Sequence, residues 1–106
     1  AVAVAEGIVL DGSAVLTAAG LYEVYFLIVN IDGPNSVDVT VGRDNDAAGT
    51  LTAAEYWMFT EPVAADTNSG WRGAFLMNGD DDIRAVASAA DDAVIQFRLR
   101  RVDVGA

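Results

Sequence analysis

The chain has 106 residues and a formal net charge of −10, from sixteen carboxylates against six arginines, and it contains neither His, Cys nor Lys. Those absences together remove the usual general base near neutral pH, the thiolate nucleophile, the Schiff-base amine and most transition-metal ligands. The acidic balance repels phosphate backbones and anionic lipid, so neither nucleic acid nor a membrane is expected as a partner.

An apolar fraction of 53% excludes a disordered chain. The length fits one domain, residues 1–106, with a core of its own. No apolar run approaches the roughly 18 residues of a membrane span. Ala1-Val2-Ala3-Val4-Ala5-Glu6 carries no basic segment of the secretory type, and residues 1–7 are expected as a short N-terminal arm. Without Cys there is no disulfide or Cys-zinc framework.

Hydrophobic periodicity predicts short strands separated by turn chemistry. Ile8-Val9-Leu10, Asp11-Gly12 and Ala14-Val15-Leu16 read as a hairpin, with Asp-Gly suited to a tight primed turn. Leu21 to Ile31 is the strongest strand. Its Val24 to Val29 segment is apolar on both parities, which predicts cover on both faces. Asp32-Gly33-Pro34-Asn35 turns the chain into Val37, Val39 and Val41, which alternate with Asp38 and Thr40 as a half-buried strand.

Glu55 to Glu61 is the next predicted strand, ended by Pro62, although Thr52-Ala53-Ala54-Glu55 also forms a capping box that could open a short helix. Its alternation sets Trp57 and Phe59 on one face and Tyr56 and Met58 on the other. Trp71 to Met77 reads as a strand with Trp71, Phe75 and Met77 packed together in the core. Asn78-Gly79-Asp80 turns into Ile83 to Ser88, where alternation outweighs the helical propensity of an Ala-rich stretch. Asp91-Asp92 then turns into Val94 to Val102. In this last strand Ile95, Phe97 and Leu99 share one face and Gln96, Arg98 and Arg100 the other. Arg101 falls on the apolar parity, which a bulge or a strand end would resolve. About eight short strands with regular turns predict an all-β fold, an antiparallel β-sandwich of jelly-roll type.

Three groups of residues could carry chemistry. Asp44 to Glu55 follows the spacing of an EF-hand calcium loop, with Asp44 and Asp46 at positions 1 and 3, Gly49 at 6, Leu51 at 8 and Glu55 at 12. Ala48 removes an oxygen ligand at position 5, and the β-branched approach is a strand where an EF-hand needs a helix. The expectation is therefore an ordinary acidic loop with no metal or other cofactor, Asp44, Asp46 and Glu55 being the weak candidates. Asp80-Asp81-Asp82 is expected to keep a turn solvated and blunt a strand edge. No spacing singles out a catalytic carboxylate pair, and no base accompanies a Ser nucleophile, so no catalytic residue is assigned. Tyr56, Trp57 and Phe59, with Arg98 and Arg100, are the candidate interface residues, because aromatic side chains and Arg are enriched where proteins dock. The Arg98 and Arg100 row reads either as a solvated face opposite acidic cross-strand neighbours or as a docking face for an acidic partner.

In sequence order, the chain resembles the small β-sandwich virion proteins of tailed bacteriophages. The resemblance runs from Leu21 to Val102. It lies in Tyr25-Phe26-Leu27-Ile28-Val29 leading into Asn30, in Val37-Asp38-Val39-Thr40-Val41, in Tyr56-Trp57-Met58-Phe59 with Glu61-Pro62-Val63-Ala64-Ala65-Asp66, and in Gly79-Asp80-Asp81-Asp82-Ile83-Arg84-Ala85-Val86-Ala87-Ser88 before the closing strand. It implies a non-enzymatic structural protein of the virion, assembled in the host cytoplasm. The role implied is a capsid decoration (cement) protein, or alternatively a neck or tail component. The implied partners are capsid or other virion proteins, with a homo-oligomer, a trimer, as the assembled form. A carbohydrate-binding sandwich using Trp57 or Trp71, and a calcium-dependent module, are the alternatives of another class.

Overall fold

The computed structural model describes residues 2–3, 7–12, 16–17, 19–44, 51, 55–89 and 93–103. Eight strands are defined among them: β1 (Val2–Ala3), β2 (Gly7–Asp11), β3 (Leu21–Asn30), β4 (Val37–Asp44), β5 (Tyr56–Val63), β6 (Arg72–Asn78), β7 (Asp82–Ala87) and β8 (Ala93–Arg101). They form two four-stranded antiparallel sheets, one in the order β1-β8-β3-β6 and the other β2-β7-β4-β5. The chain changes sheet at every connection except that between β4 and β5. This interleaved order is that of an eight-stranded jelly roll.

The core lies between the sheets. Val24, Phe26 and Ile28 of β3 are fully buried against Val37, Val39 and Val41 of β4, with Ile83 of β7 and Ile95 of β8 completing the contact. Each such side chain contributes roughly 1.5–3 kcal/mol by leaving water. β3 and β8 pair over nine consecutive residues without a register shift, from Tyr22↔Arg101 to Asn30↔Ala93. The strand end at Arg101 thus accounts for its place on the apolar parity. Among the described residues one face of β3 is closed: Leu27 and Val29 on the other are half-buried, and Tyr25 is exposed.

Four expectations from the sequence change. β2 pairs with β7 rather than with a return strand. The N–H of Leu16 donates to the Gly12 carbonyl at 2.7 Å, and that of Gly12 donates to the Asp81 carbonyl at 3.1 Å, so the chain presses onto the turn before β7. Any Cβ on Gly12 would collide with that carbonyl. Residues 13–15 of the expected hairpin lie outside the described residues, as do Thr52 to Ala54 and the Asp91-Asp92 turn. Secondly, β5 runs through Pro62, which pairs with Asp38. It is an edge strand, where a missing N–H leaves no ladder bond unmade. Thirdly, Val2 and Ala3 of the expected arm are held on β8 opposite Ile95 and Val94. Fourthly, Asp81 is buried, and its carboxylate accepts the N–H of Asn78 at 2.8 Å.

Candidate functional site

Strand alternation builds the outer face of the β8-β3-β6 sheet. With Val24, Phe26 and Ile28 turned inward, Glu23 and Tyr25 point outward, and the register sets Tyr25 beside Arg98 and Glu23 beside Arg100. On the other side of β3, Val24 pairs with Phe75 and Phe26 with Arg72, so β6 holds one residue more than its partner. A bulge of this kind reverses the facing of everything beyond it. Trp71, expected in the core with Phe75, is carried instead to the outer surface. Arg72 is carried to the β5 side, where its guanidinium forms a two-point contact with the Glu61 carboxylate.

On that outer face the ring of Tyr25 lies over Gly73, where any Cβ would strike it. The guanidinium carbon of Arg98 sits 4.4 Å from the centre of a Trp71 ring. Such a cation–π contact is worth about 0.5–1 kcal/mol at an exposed site. Glu23, Tyr25, Arg98, Leu99 and Arg100 line a depression of about 410 Å³. Tyr25 is 36% exposed, Trp71 42% and Leu76, opposite Glu23, 50%.

The arginines separate into two kinds. Arg43 lies 3.8 Å from Asp81, Arg84 2.7 Å from Asp44, Arg100 3.1 Å from Glu23 and Arg101 2.9 Å from Asp103, while Arg72 is paired with Glu61. Among the described residues, Arg98 alone has no carboxylate in reach. Its guanidinium carbon lies over the indole, and among the described residues its N–H groups meet no acceptor.

The five candidate interface residues do not form one surface. Arg98 and Arg100 belong to the face just described. Tyr56 and Phe59 lie on the outer side of the opposite sheet, their rings 4.6 Å apart, and Phe59 is 62% exposed. Trp57 turns inward and stacks on Phe75 at 4.9 Å and Phe26 at 6.3 Å. The reason is a pair of irregularities in β5, one between the partners of Val39 and Val41 and one between those of Val41 and Gly42. They send Trp57 and Met58 inward and Tyr56 and Phe59 outward, so the simple alternation expected for this segment does not hold. Thr60, at the first irregularity, has φ of 45°, and its N–H donates to Thr40 Oγ1 at 2.9 Å.

Of the weak metal candidates, Asp44 is buried and accepts from Arg84 Nε at 2.7 Å. Glu55 is buried with its backbone against Gly42, and Asp46 lies outside the described residues. Asp11, Asp82 and Asp44 are register partners in a row across β2, β7 and β4. Burial, followed by the charge of Asp11 and more weakly that of Asp44, raises the Asp82 pKa above the ordinary carboxylate value, while the Gly12 N–H and Arg84 act against the shift. Among the described residues no three such side chains are arranged to hold a metal ion.

Tyr25, Trp71 and Leu76 complete the Arg98 face and were not among the sequence candidates for it. The available signal was the two-sided apolar character of β3, which marks its outer row as unusual for a solvated sheet face. No known protein family, curated protein or solved structure matches this chain.

Proposed function

We propose that this chain is a non-enzymatic structural protein, a jelly-roll subunit of a virion, and that it docks on neighbouring capsid or other virion subunits through the outer face of the β8-β3-β6 sheet. The observation that carries the reading is the exposure of Tyr25, Trp71 and Leu76 beside Arg98 and Arg100 on one sheet face, while the core between the sheets is already closed. Trp, Tyr and Arg are the side chains that dominate binding energy at protein interfaces. Eight-stranded jelly rolls recur among viral capsid proteins, a fold-level analogy that favours a virion over other assemblies. The acidic remainder of the surface keeps such a subunit soluble before assembly.

The test is a density gradient of lysate from cells producing the protein, probed with antibody raised against the purified chain. Co-migration with large particles, resistant to washing, is the expected result. A chain confined to the free pool at the top of the gradient removes the assembly role.

A further inference from the structure

We infer that Arg98, placed over the Trp71 ring, is a receptor for a single carboxylate presented by an acidic segment of a different protein, and that Tyr25 and Leu76 form the apolar rim around that contact. The inference rests on the docking role proposed above and names the chemistry of the partner.

Charge pairing carries the argument. The chain has sixteen carboxylates for six arginines, and the other five arginines each have a carboxylate partner among the described residues. Arg98 lies over the indole and is left open at its hydrogen-bonding edge among the described residues. A guanidinium in this position donates two parallel N–H bonds to a carboxylate, and its contact with Trp71 favours the receiving rotamer before binding. Glu23 does not fill the place, since it reaches Arg100 instead. The neighbouring exposed Tyr25 and Leu76 lower the local dielectric once covered, which strengthens the ion pair.

A second copy of the chain fits less well. Two copies meeting through this face would each bring a net charge of −10, a like-charge repulsion that opposes their association. A saccharide acid would use the same carboxylate but would gain nothing from Leu76.

The test follows the Arg98 Nε–H and Trp71 Nε1–H resonances of the isotopically labelled full chain during titration with the amidated peptide acetyl-Leu-Glu-Leu. Saturable shifts at Arg98 and Trp71, absent with the Gln analogue of the peptide, are expected. Arg98→Lys should weaken binding about tenfold, as for the loss of one charge-assisted hydrogen bond. Preserved dispersion of the two Trp indole signals in that variant shows that the fold is intact. Any of the following overturns the inference: no saturable shift, an equal response to the Gln peptide, a stronger response to glucuronate than to the Glu peptide, or self-association in light scattering that Arg98→Glu abolishes. A chain that migrates with particles while the peptide leaves Arg98 unmoved loses this inference alone. Specific peptide binding by a chain that never enters particles defeats the assembly reading instead.

Discussion

Asn30 Nδ2 donates to the carbonyl of Val63 at 2.9 Å, tying the end of β3 in one sheet to the end of β5 in the other. The same amide nitrogen donates to the Asn35 carbonyl at 2.9 Å, and Asn30 Oδ1 accepts the N–H of Asp32 at 2.8 Å. A buried side chain with all these bonds made fixes the relative position of the two sheets at this end, because its geometry permits no sliding. The Asp32 to Asn35 turn is shaped around it.

Replacing Asn30 should therefore be among the more damaging changes in the chain. Asn30→Ala strands the buried Val63 carbonyl, which costs about 1–3 kcal/mol when left unmet, and gives up two further hydrogen bonds, so a total loss of about 2–4 kcal/mol is expected. Asn30→Asp should be worse near neutral pH, since a carboxylate then faces two carbonyl oxygens. Urea denaturation measures both. A loss below about 0.5 kcal/mol for Asn30→Ala, the size of an ordinary surface change, would mean that the amide is not the link between the sheets.

Thr60 offers a prediction of opposite sign. A β-branched residue at a φ of 45° is strained by about 1–2 kcal/mol, which Gly avoids. Thr60→Gly gives up only a long contact of 3.4 Å between the Thr40 and Thr60 hydroxyls and some unfolded-state entropy. The expected result is a gain of up to about 1 kcal/mol, whereas Gly at a regular strand position costs about 0.5–1 kcal/mol. The sign of the change in thermal unfolding decides the matter.

The contrast between β8 and β5 explains what could be read from the residues alone. β8 alternates cleanly and pairs with β3 without a slip, so its Ile95 row and its Arg98 row are visible in the order of the amino acids. Tyr56-Trp57-Met58-Phe59 is apolar at every position, so nothing marks where a bulge changes the phase, and the inward pair proved to be Trp57 and Met58. Trp71 was misplaced for the same reason, through the extra residue of β6. Asp81 reads as solvated because Arg43 and the Gly12 backbone become its neighbours only through the fold. Two of the five residues of the candidate face, Arg98 and Arg100, are legible by alternation. Tyr25, Trp71 and Leu76 needed the register between strands.

The Arg72–Glu61 pair joins β6 to β5, the adjacent edges of the two sheets. Both side chains are about one-third exposed, so solvent screens the interaction despite its two-point geometry. A double-mutant cycle with Arg72→Gln and Glu61→Gln should give a coupling of about 0.5–1 kcal/mol, at the upper end for exposed pairs, falling as salt is raised. A coupling unchanged between low and high salt would show that the contact is not electrostatic in origin.

Asp82 supplies the pH dependence. Burial and the neighbouring Asp11 and Asp44 carboxylates raise its pKa in the folded chain above the unfolded value. The folded state therefore binds the proton more tightly than the unfolded state does, and the stabilisation this gives is complete below the unfolded pKa and disappears as pH rises through the raised one. At neutral pH the ionised Asp82 opposes folding. Asp82→Asn removes the charge and keeps the shape of the side chain, so it should raise Tm by about 1–3 °C at pH 7, a modest figure because solvent reaches the group. The difference between variant and parent should shrink as pH falls and close below about pH 4, where the parent is protonated in both states. Parallel melts of the two proteins from neutral to acidic pH give the curve directly. A variant that is less stable at pH 7, or whose advantage persists undiminished in acid, would mean that repulsion within the row Asp11, Asp82 and Asp44 is not what the substitution relieves.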